Sequence, residues 1–256
     1  MKRAHWVVLV SVLIITVVTT PVFAAEVPKP GPDKPAATHA GFVSLFNGRD
    51  FSGWRVPDGD NGHWKALDGV IDYDARSESP GQKHLWTEKS YRDFSLRIDW
   101  RLKSAPFKYK GSILLPDGSE KLDETGQPIV VEFPDADSGI LLRGGPQVNI
   151  WCWPAGSGEL WSVRRDKSLP PALRAAATPK LHADRNIGEW NTFEITLVGE
   201  QLNIVLNGQK VIENASIPGI APGGPIGLQH HGNWNGTQWT GPPSLIQFRN
   251  IFIKEL

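Results

Sequence analysis

The sequence predicts an all-β fold, a sandwich or barrel of many short strands, on three observations. Apolar residues recur with a period of two rather than 3.6. Glycine and proline punctuate nearly every gap, with 26 Gly and 21 Pro in 256 residues. Strands are not interleaved with helix-length segments, which argues against a parallel α/β sheet.

The elements follow in chain order. Residues 1–24 read as a removable export signal: Lys2 and Arg3, an apolar run from Trp6 to Val18, then small residues ending at Ala24. The run is shorter than the roughly 20 residues a spanning helix needs, so no stable membrane insertion is expected after cleavage. The expected location is periplasmic or secreted. Residues 25–40 carry Pro28, Pro30, Pro32 and Pro35 and read as a semi-extended linker. A single domain is expected over 41–256.

The clearest strand is Phe94–Leu102, where Phe94, Leu96, Ile98, Trp100 and Leu102 alternate with Ser95, Arg97, Asp99 and Arg101. Phe193–Leu197 and Leu202–Leu206 repeat the pattern around a Gly199-Glu200 turn, and Asn207-Gly208 signals another turn. Leu245–Ile253 alternates but changes phase near Asn250, which predicts a bulge. Further strands are expected at Phe42–Phe46, His63–Leu67, Val70–Tyr73, His84–Thr87, Ile129–Phe133, Gly139–Arg143, Gln147–Trp151 and Pro225–Gln229. Only Pro171–Ala177 suits a helical turn or two. Ser104–Pro128 reads as an irregular polar excursion, either a binding loop or an inert insertion.

Charge and motifs exclude several functions. The 27 basic and 27 acidic residues balance, without a basic block, so nucleic acid is not an expected partner. Cys152 is the only cysteine, so no internal disulfide forms and the thiol reads as a small buried hydrophobe. No Gly-x-Ser-x-Gly, Gly-Lys-Ser/Thr or His-Glu-x-x-His motif is present.

The ordered blocks Phe42–Trp54, His63–Ile71, Leu85–Thr87, Tyr91–Leu96, Asp137–Arg143, Gly188–Ile195, Leu206–Gly208, Gly227–Gly232 and Phe248–Ile251 resemble the 3-keto-disaccharide hydrolase domain family. The resemblance covers the chain from Gly41 to Leu256. It implies a concanavalin A-like jelly-roll β-sandwich that cleaves glycosides carrying a ketone at carbon 3. The ketone acidifies the hydrogen on carbon 2, so a base, an enolate stabiliser and an acid for the leaving group suffice. The ketone would come from an upstream sugar 3-oxidoreductase. The sequence departs from the family at two places: Asp137 stands where many members have Asn, and Gln147 where many have Glu. The alternative reading is therefore a lectin-like carbohydrate-binding module that does not cleave.

Candidate site residues follow from chemistry. Gln147, Asn149 and Trp151 share one strand face; amides pair with hydroxyls and an indole covers a pyranose. Trp86, Trp153 and Trp161 are further platforms. His231 is the expected base: histidine is the side chain most easily poised as a base near neutral pH, and adjacent His230 and His231 point to opposite faces, so only one reaches the sugar. Glu159 is a substitute acid or base and, with Trp161 and Arg164, a second rim. Arg143 is either the enolate stabiliser or an ion-pair partner of Asp137 or Glu132. Asp137, His230 and Trp234 complete the expected binding set, with Trp239 beside Trp234. No cofactor is required by this chemistry; a divalent cation would need the oxygens of Glu132, Asp135 and Asp137.

Overall fold

The computed structural model describes residues 41–256. The expected signal peptide (1–24) and linker (25–40) lie outside the described residues. Fifteen strands and two short helices are present among them: β1 (Val43–Ser44), β2 (Trp54–Arg55), β3 (Trp64–Leu67), β4 (Val70–Tyr73), β5 (Leu85–Tyr91), β6 (Phe94–Leu102), β7 (Phe107–Ser112), β8 (Val130–Asp135), β9 (Asp137–Leu141), β10 (Gln147–Trp151), α1 (Trp161–Arg165), α2 (Pro171–Ala176), β11 (Asn191–Val198), β12 (Gln201–Leu206), β13 (Gln209–Ser216), β14 (Gly224–Leu228) and β15 (Ile246–Glu255). No described helix is long and apolar enough to cross a membrane.

Two antiparallel sheets make a jelly-roll sandwich. The larger runs β13-β12-β11-β6-β15-β4-β3, with β1 also paired to β15; the smaller runs β10-β9-β14-β5-β2. Alternation decides which face each residue takes. Phe94, Leu96, Ile98, Trp100, Phe193, Ile195 and Phe248 of the larger sheet meet Leu85, Ile140, Val148, Ile150, Ile226 and Leu228 of the smaller in one buried core. Full burial of each such side chain contributes about 1.5–3 kcal/mol. Trp64 and Trp100 lie in this core, as their strand phase predicts.

The phase change in β15 is a bulge. Asn250 takes φ +50°, the pairing with β6 shifts between Arg249 and Phe252, and Asn250 Nδ2 donates to Asp99 Oδ2 at 2.7 Å.

The segment expected to be irregular, 104–128, is ordered. β7 and β8 pair from Phe107↔Asp135 to Ser112↔Val130. Beyond them Ile113, Lys121 and Ile129 are linked in a ring by three backbone hydrogen bonds of 2.8–3.0 Å. β8 runs through Pro134, which a two-stranded ribbon tolerates because a strand there has a free side. The turn at the ribbon's far end rests on α2: Lys180 Nζ donates to the carbonyls of Pro116 and Ala175, both at 2.8 Å. A Cβ on Gly118 would lie 2.9 Å from Thr178 Oγ1, so the turn approaches closely.

Candidate functional site

The outward face of the smaller sheet carries the site. Register sets out its rows. Gln147 (β10) faces Leu141 (β9), which faces Gly227 (β14), then Trp86 (β5) and Arg55 (β2). Asn149 faces Gly139, whose carbonyl accepts the Gln229 N–H. Trp151 faces Asp137. A cavity of about 290 Å³ opens here, lined by Asp137, Gln147, Asn149, Trp151, Trp153, Trp161, Gln229 and His231.

Three amides form its floor. Gln147 Nε2 lies 2.6 Å from both Asn149 Oδ1 and Gln229 Oε1 and 3.1 Å from the Ser138 carbonyl. Asn149 Nδ2 donates to the Glu159 carbonyl at 2.9 Å. Gln147 lies across Gly139, where a Cβ would sit 2.6 Å from Gln147 Cγ and 2.7 Å from the Val148 carbonyl. The missing side chain is therefore what seats the amide.

His231 and Asp137 face each other at the cavity wall. The Pro242 carbonyl lies 2.7 Å from His231 Nδ1 and accepts a hydrogen bond from its N–H, because a carbonyl has no proton to give. Neutral His231 thus turns a bare Nε2 toward the cavity, 3.7 Å from Asp137 Oδ2. Burial pushes Asp137 up to about 6, and the charge of Asp135 adds to this, while His231 and the Gln147 amide oppose it. Ser244, fully buried, ties the pair together. Its Oγ accepts the His231 N–H at 2.6 Å and donates to the Asp137 carbonyl at 2.8 Å. Gly232, at φ +81°, makes room: a Cβ there would meet Pro243 Cα at 2.9 Å.

The tryptophans differ from one another. Trp151 and Trp153 stack at 4.6 Å, and Trp153 stacks on Tyr109 of β7 at 5.2 Å. Trp151 is 4% exposed, so it braces Trp153 rather than offering a ring face. Trp161, 43% exposed on α1, is the open platform of the cavity.

Six expected site residues lie elsewhere or do other work. Arg143 is buried away from the cavity, donating to the carbonyls of Arg92, Gly199 and Ala221 and to Asp93 Oδ1 at 2.6–3.2 Å. It does not reach Asp137 or Glu132. The chain leaves β9 at Leu141, and Arg143 takes φ +49°, which breaks the alternation that would have placed it on the outer face. Glu159 is wholly buried and paired with Arg164, so neither lines the cavity; burial raises the Glu159 carboxyl, with Arg164 opposing. His230 turns from the site to the Tyr73 hydroxyl at 2.6 Å, and burial lowers it to about 4. Trp234 packs with Trp239 in a loop, with Arg76 4.1 Å from its ring centre. Trp86 lies on the same sheet face as the cavity but outside its lining.

Gln229 is a cavity residue that the sequence reading missed. Extending the alternation of β14 by one step, from Gly227 through Gln229 to His231, would have found it. Among the described residues no three His, Cys, Asp or Glu side chains converge to hold a metal ion. Glu132 instead pairs with Lys108 at 3.1 Å, and Asp135 receives Trp153 Nε1 at 3.3 Å. Burial pushes the Cys152 thiol up to about 12, which keeps it protonated.

Comparison with known proteins agrees with this architecture. A candidate glycosyl hydrolase from Parabacteroides distasonis is 20% identical, with a TM-score of 0.53 over 91% of this chain and 95% of that one. A second such structure from the same organism is also 20% identical, with a TM-score of 0.51 over 84% and 94%. No curated protein matches the chain. The profile of the 3-keto-alpha-glucoside-1,2-lyase-like domain matches residues 41–254, nearly the whole described chain, and the protein belongs to that family.

Proposed function

We propose that the protein cleaves 3-keto-glycosides by removing the hydrogen on carbon 2, with His231 as the base. One observation carries this reading: the Pro242 carbonyl fixes the Nδ1–H tautomer, so the neutral ring directs the Nε2 lone pair into a cavity of amides and indoles. Nε2 takes the carbon-2 proton and the electron pair passes into the carbon-3 carbonyl as an enolate. The enolate returns its pair, the carbon 1–oxygen bond breaks, and the leaving alkoxide takes a proton. Water then adds across the carbon 1–carbon 2 bond, so the net change is hydrolysis.

Asp137 serves two states. As carboxylate it stabilises the imidazolium 3.7 Å away; as acid, which burial favours, it supplies the leaving oxygen with its proton. Gln229 uses Oε1 to accept from Gln147, which leaves its amide N–H groups for the enolate or ring hydroxyls. Asp137 is the one carboxylate among the cavity-lining residues, so the paired carboxylates of oxocarbenium glycosidases are not assembled here.

The floor of three neutral amides also supports a second reading, a lectin-like module that holds sugars without cleaving them. Incubating the protein with a 3-keto-disaccharide and analysing the products separates the two. Release of the free 3-keto-sugar by the native protein, lost in His231→Ala, is the expected result. Binding of disaccharide with no product from the native protein would overturn the catalytic reading in favour of the module.

A further inference from the structure

The sugar cavity ends at β14, yet the same sheet face continues across two more strands. There β5 and β2 present an aromatic ring between two donors. Trp86 is half-buried and lies across Gly227 of β14, where a Cβ would sit 2.6 Å from Trp86 Cζ3. No side chain other than glycine's hydrogen permits that pose, so the indole is laid on the sheet with one side turned outward.

His84, two residues before Trp86, shares its face by strand alternation and meets its ring edge-on at 5.8 Å between centres. His84 Nδ1 accepts the His230 N–H at 3.0 Å, so Nδ1 is bare and the proton of the neutral ring sits on Nε2. Nε2 has no protein partner among the described residues and is left as a donor. Burial lowers the pKa of His84, which favours this neutral form. On the other side, Arg55 pairs with Trp86 across β2 and β5, is exposed, and makes no hydrogen bond or ion pair with another described residue through its side chain. An aromatic face flanked by two free donors matches a pyranose, which offers an apolar ring face and acceptor hydroxyls.

Position supplies the rest. Trp86 stands in the row of Gln147, Leu141 and Gly227, and Leu228 faces Leu85, with His84 and Gln229 each one residue beyond that pair. Adjacent strands are about 4.8 Å apart, so Trp86 lies roughly 10 Å from β9, the reach of two joined sugar rings.

We propose that Trp86, His84 and Arg55 form a second sugar subsite, which holds the partner ring of a ligand whose first ring occupies the His231 cavity. This rests on the reading of that cavity as a sugar site, and makes the ligand at least a disaccharide. The subsite carries no carboxylate among these three residues, so it favours neutral or anionic rings over cationic aminosugars.

The test uses the His231→Ala protein, to prevent turnover, and measures affinity for a 3-keto-disaccharide and for the methyl 3-keto-glycoside of its first ring. Adding Trp86→Ala should weaken the disaccharide about tenfold and leave the methyl glycoside unchanged, with His84→Ala acting in the same direction. Arg55→Ala, at an exposed edge where folding is not at stake, should weaken the disaccharide alone by about threefold. Equal weakening of both ligands, or no change for the disaccharide in any variant, would overturn the subsite. Failure of the methyl glycoside to bind the parent would instead strike the cavity reading itself, and the subsite with it.

Discussion

Replacing Ser244 with alanine removes one oxygen that serves both members of the His231–Asp137 pair. Two hydrogen bonds go with it, from the His231 N–H at 2.6 Å and to the Asp137 carbonyl at 2.8 Å, in a place closed to water. A buried backbone group left without its partner costs about 1–3 kcal/mol, so a stability loss of about 2 kcal/mol is expected. For a domain of this size that is a fall in Tm of about 4–8 °C. The functional effect should be larger in proportion. The strand end bearing His231 is released from Asp137, and a displacement near 1 Å is enough to cost a factor of up to about a hundred. Ser244→Ala should therefore lower kcat about ten- to a hundredfold and leave KM within a few-fold, since the amides and Trp161 are untouched. Denaturation of the variant and steady-state cleavage of a 3-keto-disaccharide measure both effects. A variant with native kcat and native pH dependence would refute the claim that Ser244 positions the base.

Other outcomes follow from the same geometry. Asp137 has its proton affinity raised by burial to about 6, above its unfolded value of 3.8. Its contribution to stability is then largest at low pH, declines as pH rises from about 4 to about 6, and is constant above that. Asp137→Asn should make the protein more stable than native above pH 6 and flatten denaturation midpoints between pH 4 and 6. Arg143→Met leaves Asp93 and three carbonyls without their guanidinium, and should cost about 3–5 kcal/mol in chemical denaturation. Its folded fraction should keep native kcat, because the side chain is remote from the cavity. Gly139→Ala places a methyl 2.6 Å from Gln147 and 2.7 Å from the Val148 carbonyl. It should destabilise by about 1–3 kcal/mol and weaken sugar binding, and a second change, Gln147→Ala, should recover only part of the stability because the carbonyl contact remains.

What could be read in advance depended on whether one face of a strand was buried. β6, β11 and β12 each bury alternate residues, and each was legible. The phase slip at Asn250 was legible too, because a bulge inverts an otherwise regular pattern. β7 buries neither face, so Phe107–Ser112 left no period to detect. β13 was missed because adjacent Val211 and Ile212 are both buried, across a shifted register with β12. In the site, alternation placed Gln147, Asn149 and Trp151 on one face and sent His230 and His231 opposite ways. It failed at Arg143, where one left-handed residue ends the alternation. It also had no purchase on Glu159, whose segment pairs with the outer edge of β10 through the Asn149 N–H and carbonyl. Such long-range docking has no local signature.

The ribbon resting on α2 has a mechanical consequence. Tyr109 and Phe133 brace Trp153 on one wall, Trp161 stands on α1, which packs against α2, and Lys180 fastens the far turn of the ribbon to α2. The two walls are thereby parts of a closed frame rather than independent flaps. A sugar that stills Trp161 should slow amide exchange out to the ring of Ile113, Lys121 and Ile129, on backbone that no ligand touches.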